Sequence, residues 1–273
     1  MSEVSIICTV KNGEKTIKST IESILRQSFT DWELVIVDDG STDNTNNIIK
    51  SFAEKDSRIK LITTKGVGRG KALNLAINNS KGRYIANIDA DDPSHPDRIQ
   101  IQLQYFYKYP DLTLLATDYT VIYDNEDPIW TEEKDEVPLQ LINQNLIYQN
   151  PINHSSVMMK REDLLSVGMY NVNLSSQLDY DLWIRFAEKG YKLGYIPAKL
   201  SSKRIHSNQS FENKYRFRYL RNSFVVQKRA IRVLNGSFKA IIIMYLRFLY
   251  GLLIPQKIRV KLRNGIGNFL NLL

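Results

Sequence analysis

Tyr84-Ile85-Ala86-Asn87-Ile88-Asp89-Ala90-Asp91-Asp92 is a short apolar run closed by three carboxylates. The pattern predicts a strand that ends in an acidic loop. Working outward, Val4-Ser5-Ile6-Ile7-Cys8-Thr9-Val10 and Trp32-Glu33-Leu34-Val35-Ile36-Val37 are runs of the same kind, and residues 59–63 form another. Helical patterns lie between them. Ile17, Ile21, Ile24 and Leu25 fall on one helix face, a polar helix reaches about residue 55, and helices are predicted over 73–79 and 96–107. Strands alternating with helices imply βαβ units and a mostly parallel sheet. Right-handed crossovers then put the four strand carboxyl ends on one edge, outside which ligands bind in such sheets. Two of those ends, 38–43 and 89–92, are acidic. Two acidic loops on one edge call for a cation, or a cation-bound ligand, between them.

Beyond residue 112 the pattern loosens. Residues 112–123 read as a strand, 124–136 as an acidic loop and 154–159 as a strand. Leu182, Trp183, Phe186 and Ala187 mark a helix that begins near Asp179. There is no internal repeat. Of the 273 residues, 43% are hydrophobic and 24% charged, which excludes a disordered, collagen-like or coiled-coil chain. Cys8 is the only cysteine, so an intrachain disulfide and a cysteine-ligated zinc cluster are both excluded. Met1-Ser2-Glu3 leads into the first run with no basic leader, and a reducing, cytoplasmic setting is expected.

Four segments are candidates for chemistry. Asp89 and Asp91, two apart, point their carboxylates to one side of an extended chain. These are hard oxygen ligands suited to Mg²⁺ or Mn²⁺, although an isolated pair is as readily a solvated turn. Asp38-Asp39-Gly40-Ser41-Thr42-Asp43 is either a strand-to-helix turn capped by Ser41 or Thr42, or a site where an Asp accepts hydrogen bonds from a base or ribose. Gly66-Val67-Gly68-Arg69-Gly70-Lys71-Ala72 lacks P-loop spacing and its Ser/Thr. A looser phosphate cradle remains, with Arg69 and Lys71 supplying charge. Asp179 opens a helix, where the dipole keeps a carboxylate ionised as a general base requires. Asp181 and Arg185 read as an i, i+4 pair. Among the histidines, His154 reads as a buried structural residue, His206 as a further metal or phosphate ligand, and His95 as a loop residue.

In order and spacing these segments, with Ser23-Ile24-Leu25-Arg26-Gln27-Ser28-Phe29, Gly82-Arg83 and Asp179-Tyr180-Asp181-Leu182-Trp183-Ile184-Arg185, resemble family 2 glycosyltransferases over residues 3–210. The resemblance implies an α/β GT-A fold, with a mostly parallel central sheet flanked by helices. It implies an inverting, metal-dependent hexosyltransferase that uses Mn²⁺ or Mg²⁺. The donor would be a UDP-sugar and the acceptor a saccharide, free or lipid-linked, in bacterial-type surface polysaccharide or lipopolysaccharide assembly. Asp39 resembles the carboxylate that contacts uracil, and Thr9, Val10 and Asn12 would line the nucleoside pocket. Asp89 and Ala90 would lie at the ribose and metal. Asp91 looks like the direct metal ligand, with His206 as an additional one, and Asp179 matches the general base. The sequence departs from the family at Lys11 (often Tyr), Leu73 (often Arg) and Leu178 (often Glu); Arg69 or Lys71 would supply the missing charge at the diphosphate.

Residues 213–273 hold 13 Lys+Arg and no Asp or Glu, whereas residues 1–212 hold 24 Lys+Arg against 29 Asp+Glu, a net charge of −5. The expected organisation is a transferase domain over 1–212, with a nucleotide-binding half at 1–110 and an acceptor half at 111–212. A basic helical C-terminal extension covers 213–273. Residues 240–254 are an apolar run interrupted by Arg247 and too short to span a bilayer. Flanking cations suit a helix on an anionic membrane, placing the protein peripherally on the inner face of the cell membrane. Packing on the body or a homodimer is the other reading of the extension. A nucleic-acid-binding protein using this tail is a competing function, but the acidic sheet edge would repel phosphates; no nucleic-acid partner is expected. A non-catalytic nucleotide-sugar-binding relative is disfavoured by Asp39, Asp91 and Asp179.

Overall fold

The computed structural model describes residues 2–124, 126–131, 137–205 and 216–254. The first half alternates strand and helix: β1 Val4–Val10, α1 Ile17–Leu25, β2 Trp32–Asp38, α2 Thr45–Ala53, β3 Ile59–Thr63, α3 Arg69–Asn78, β4 Tyr84–Asp89 and α4 Arg98–Lys108. The second half is less regular, with β5 Leu112–Tyr123, β6 Gln140–Leu141, β7 Met158–Lys160, α5 Arg161–Ser166, α6 Leu178–Glu188 and β8 Lys192–Ile205. Two further helices follow, α7 Arg216–Val233 and α8 Phe238–Leu253.

All eight strands form one sheet in the order β3-β2-β1-β4-β7-β5-β8-β6. β1 pairs in parallel with both β2 and β4, so the chain reverses its direction of travel across the sheet at β1. That switch point opens a crevice at the carboxyl edge. β7 is antiparallel to β4 and β5 and joins the two halves. Both faces are covered, which explains why the central strands are apolar without alternation. One core holds Ile6, Cys8, Leu34, Ile36 and Ile88 under α1, α2 and α4. The other holds Ile7, Val35, Val37 and Ile85 under α3 and α6, with Val226 and Ala230 of α7 in the same cluster.

Three expectations are revised. α3 begins at Arg69 rather than at residue 73. Residues 154–159 are not one strand: His154–Ser156 is a 3-10 turn and only Met158–Lys160 is extended. No side-chain oxygen of Ser41 or Thr42 caps α2, which starts after Asn44; Asp43 Oδ1 instead accepts the Thr45 N–H at 3.1 Å. The first part of the basic extension docks on the body. Gln227 Nε2 donates to the carbonyl of Tyr148 at 2.6 Å, and Arg229 pairs with Asp181 and Glu188.

Candidate active site

Four loops leave the carboxyl edge and frame a cleft of about 1140 Å³. Thr9, Val10, Asn12, Asp39, Arg69, Asp89, Ala90 and Asp91 line it. Lys71 is exposed outside the lining residues. His206 lies outside the described residues.

Backbone demands explain the loops. The loop after β1 and the loop after β2 are clamped together: Asn12 N–H donates to Ser41 Oγ at 2.9 Å, and Asn12 Oδ1 accepts from Thr42 N–H at 2.8 Å. Asp38 is buried and structural, accepting from Ser41 N–H and Asn46 Nδ2, both at 2.9 Å. Asp39 bonds the loop after β3 instead. Its Oδ1 accepts from Thr64 Oγ1 at 2.6 Å and Val67 N–H at 2.7 Å, and its Oδ2 accepts from Gly68 N–H at 2.9 Å. Gly68 adopts φ +92° just before α3, a conformation that favours glycine. Asp39 thereby fixes the start of α3 and the position of Arg69.

Arg69 crosses to the other acidic loop and donates to Asp89 Oδ1 at 2.6 Å. The same guanidinium nitrogen lies 3.1 Å from His154 Nδ1, and Asn87 Nδ2 lies 2.9 Å from that ring nitrogen. Both donors are nearer to Nδ1 than the Asp89 Oδ1 acceptor at 3.4 Å, so Nδ1 is assigned as an acceptor and the ring proton to Nε2, 2.8 Å from the Tyr170 hydroxyl. His154 is thus a buried, fully bonded histidine that steadies Arg69. Burial pushes the Asp89 carboxyl up, but the Arg69 charge outweighs it and holds the group below the usual carboxylate range. Asp89 in turn raises the Arg69 pKa against the opposing effect of burial.

The acidic turn is crowded. Asp92 is buried, accepts from Ser155 Oγ at 2.6 Å and Arg204 N–H at 2.8 Å, and has its pKa pushed up to about 8 by burial and then by the charges of Asp91 and Asp89. Arg204, itself buried, donates from Nε to the Asp91 carbonyl at 2.9 Å, and from its other end to the carbonyls of Asp124 and Glu126. Beneath the turn, fully buried Arg98 donates to the carbonyls of Asn87 and Val157, both at 2.9 Å. Arg98 and Arg204 carry no periodic or motif signal that exposes their roles; both act through carbonyls distant in sequence. Asn153 Nδ2, on a residue of the cleft wall, is buried with no partner among the described residues, a pattern expected where a ligand completes the site.

Asp179 stands in the first turn of α6, half-buried, with Oδ2 accepting from Asn150 Nδ2 at 2.7 Å. It does not line the cleft, but its charge acts on both Arg69 and Tyr170. Its neighbour Asp181 bonds Arg185 at 2.9 Å, the expected i, i+4 pair. Leu73 and Leu178 are both buried in the core.

The sequence model of Glycosyl transferase family 2 matches residues 5–168. The chain belongs to that family. It is therefore an enzyme, a glycosyltransferase with the GT-A fold. It is 32% identical over 212 residues to an uncharacterized glycosyltransferase of Methanocaldococcus jannaschii, covering 76% of this chain and 71% of that one. It is 34% identical over 197 residues to the putative glycosyltransferase EpsE of Bacillus subtilis, covering 71% and 69%. A third relative is the O-antigen biosynthesis glycosyltransferase WbnJ of Escherichia coli, 32% identical over 183 residues and 67% and 70% covered. Among solved structures, S. aureus TarS 1-349 in complex with UDP-GlcNAc superposes with a TM-score of 0.69 at 17% identity, over 100% of this chain and 81% of that one. The mannosyltransferase PcManGT of Pyrobaculum calidifontis, in complex with GDP-Man and Mn2+, gives 0.69 at 19% identity, over 92% and 72%.

Proposed function

We propose that this glycosyltransferase moves a hexose or N-acetylhexosamine from a UDP-sugar to a hydroxyl of a saccharide acceptor, free or lipid-linked, with inversion at the anomeric carbon. The observation that carries the reading is the carboxyl-edge cleft with Asp39 on one wall and the Asp89–Asp91 turn on another, Arg69 linking the two. A carboxylate has about four acceptor positions, and three on Asp39 are taken by the protein. One further donor fits there. Uracil offers a single ring N–H, whereas guanine presents a two-donor edge, so the count favours UDP.

The residues fit a divalent cation of a particular kind. Among the described residues no group of three His, Cys, Asp or Glu forms a cage. Mg²⁺ and Mn²⁺ sites instead commonly use one or two carboxylates, with water and phosphate oxygens completing the shell. Asp91 would hold such an ion, with His206 as the second candidate, and three carboxylates within four residues at the mouth of the cleft support a cation at this turn. The ion would supply Lewis-acid stabilisation of the departing diphosphate. Asp89 and Ala90 bind at the ribose, while Thr9, Val10 and Asn12 line the nucleoside. Arg69 adds positive charge beside the diphosphate, with Lys71 flanking it.

Asp179 takes the proton from the acceptor hydroxyl as that oxygen attacks the anomeric carbon opposite the leaving group. A carboxylate is a weak base, adequate for a concerted step in which the hydroxyl becomes acidic only as the bond forms.

The test is a panel of UDP- and GDP-sugars, followed by release of nucleoside diphosphate with Mn²⁺ or Mg²⁺ present or chelated. UDP release with a hexose or N-acetylhexosamine donor, lost on chelation, is the expected result. Turnover of GDP-sugars alone would overturn the donor assignment, and full activity in chelator would overturn the metal. Asp91→Ala should abolish the metal-dependent part of UDP binding in calorimetry while leaving the metal-independent part.

A further inference from the structure

α8 is amphipathic in the reverse of the usual sense. A helix on a globular surface turns charged residues outward and apolar ones to the core. Of the nine exposed residues of α8, eight are apolar, from Ile241 at 36% exposure to Phe238 at 75%, and the ninth is Lys239. Ile242, Leu246, Leu249 and Leu253 form the spine of the stripe. The helix is held in this orientation from behind. Ala240 and Met244 pack on Ile147 and Ile231, Gly251 abuts Leu220, and Arg247 donates to the Tyr148 carbonyl. The outward apolar face is therefore a consequence of firm docking on the other side. α7 adds exposed Arg218, Arg221, Lys228 and Arg232.

We propose that α8 lies in the plane of an anionic lipid surface, its stripe at the acyl boundary and the surrounding cations among the headgroups. Three observations select this occupant. At 16 residues the helix is about 24 Å long, short of the roughly 30 Å hydrocarbon core, and no helix among the described residues is long and apolar enough to cross. Exposed apolar area of this extent marks an interaction surface rather than a solvated one. Residues 213–273 carry 13 cations and no acid. A face-to-face second copy would bring two such segments together, whereas anionic headgroups neutralise them.

The experiment is flotation of the full chain with phosphatidylcholine vesicles, with and without phosphatidylglycerol, at low and high salt. Binding should be at least about tenfold stronger with the anionic lipid and should weaken with salt. Leu246→Glu with Leu249→Glu, both exposed, should lower binding by at least about tenfold at an unchanged circular dichroism spectrum. Lys228→Glu with Arg232→Glu should remove most of the preference for anionic lipid. Failure to float with either vesicle would overturn the proposal. So would a double Leu→Glu variant that floats like wild type, or a dimer in sedimentation equilibrium that this variant dissolves. None of these readouts depends on sugar transfer, so donor turnover and lipid binding stand or fall separately.

Discussion

The two edges of the parallel sheet treat their carboxylates in opposite ways. At the amino edge, Glu33 is buried and saturated: Ser5 Oγ donates at 2.6 Å, Lys60 Nζ at 2.5 Å and Lys81 N–H at 2.6 Å. Gly82 fits against Ser5 so closely that a Cβ would lie 2.5 Å from the Ser5 nitrogen. At the carboxyl edge, Asp89, Asp91 and Asp92 are crowded beside a large cleft, and the Asp92 pKa is raised first by burial and then by the charges of Asp91 and Asp89. A carboxylate whose partners are all internal holds the fold. Carboxylates that perturb one another at the mouth of a cleft are arranged for something that arrives from outside.

Substitutions should separate these edges. The largest effect is expected from Asp179→Asn, in the first turn of α6. Sugar transfer should fall about 10²- to 10⁴-fold, with UDP affinity and the urea midpoint close to wild type. Near-wild-type turnover would remove Asp179 from the mechanism. At the closed edge, Glu33→Ala leaves Ser5 and the Lys81 N–H without their acceptor and should cost about 2–3 kcal/mol in urea unfolding, with kcat of the remaining folded enzyme unchanged. A smaller effect is expected at His154. His154→Leu removes one of the two anchors of Arg69, and the donor KM should rise about tenfold while kcat moves less. His154→Asn, whose amide oxygen can stand near the Nδ1 position, should recover most of the loss; equal defects in both variants would assign His154 to packing alone.

The smallest effect is a pH dependence. Burial raises the Glu33 pKa, but the bonds from Lys60 and Ser5 outweigh it and hold the group below its ordinary value of 4.5. A depressed folded pKa contributes stability above the ordinary value, and that contribution is lost as pH falls from there through the folded one. Wild type should therefore lose stability below about pH 4.5 more steeply than Glu33→Gln, read as the slope of the urea midpoint against pH.

The first four strands were legible because their signals are local: apolar runs of strand length, each stopped by turn residues. The start of α3 was not. Gly68 and Gly70 weaken the helical pattern, and only the bonds from the distant Asp39 carboxylate anchor the first turn at Arg69. β7 is three residues long and exists because β4 and β5 supply pairing partners. Motif order pointed to Asp39, Asp89 and Asp91, which line the cleft, and to Asp179, which stands outside its lining; His154, read as structural, is buried and bonded. Its hold on Arg69, and the roles of Arg98, Arg204 and Tyr170, were missed because each partner is remote in the chain and no spacing rule links them.

Arg204 carries a lesson about modularity. It belongs to β8, yet it clasps the carbonyl of Asp91 in the loop after β4, more than a hundred residues earlier in the chain. The halves are therefore not interchangeable cartridges. A chimera that imports residues 111–205 from a relative keeps the acidic turn intact only if the graft also brings an arginine able to make that clasp.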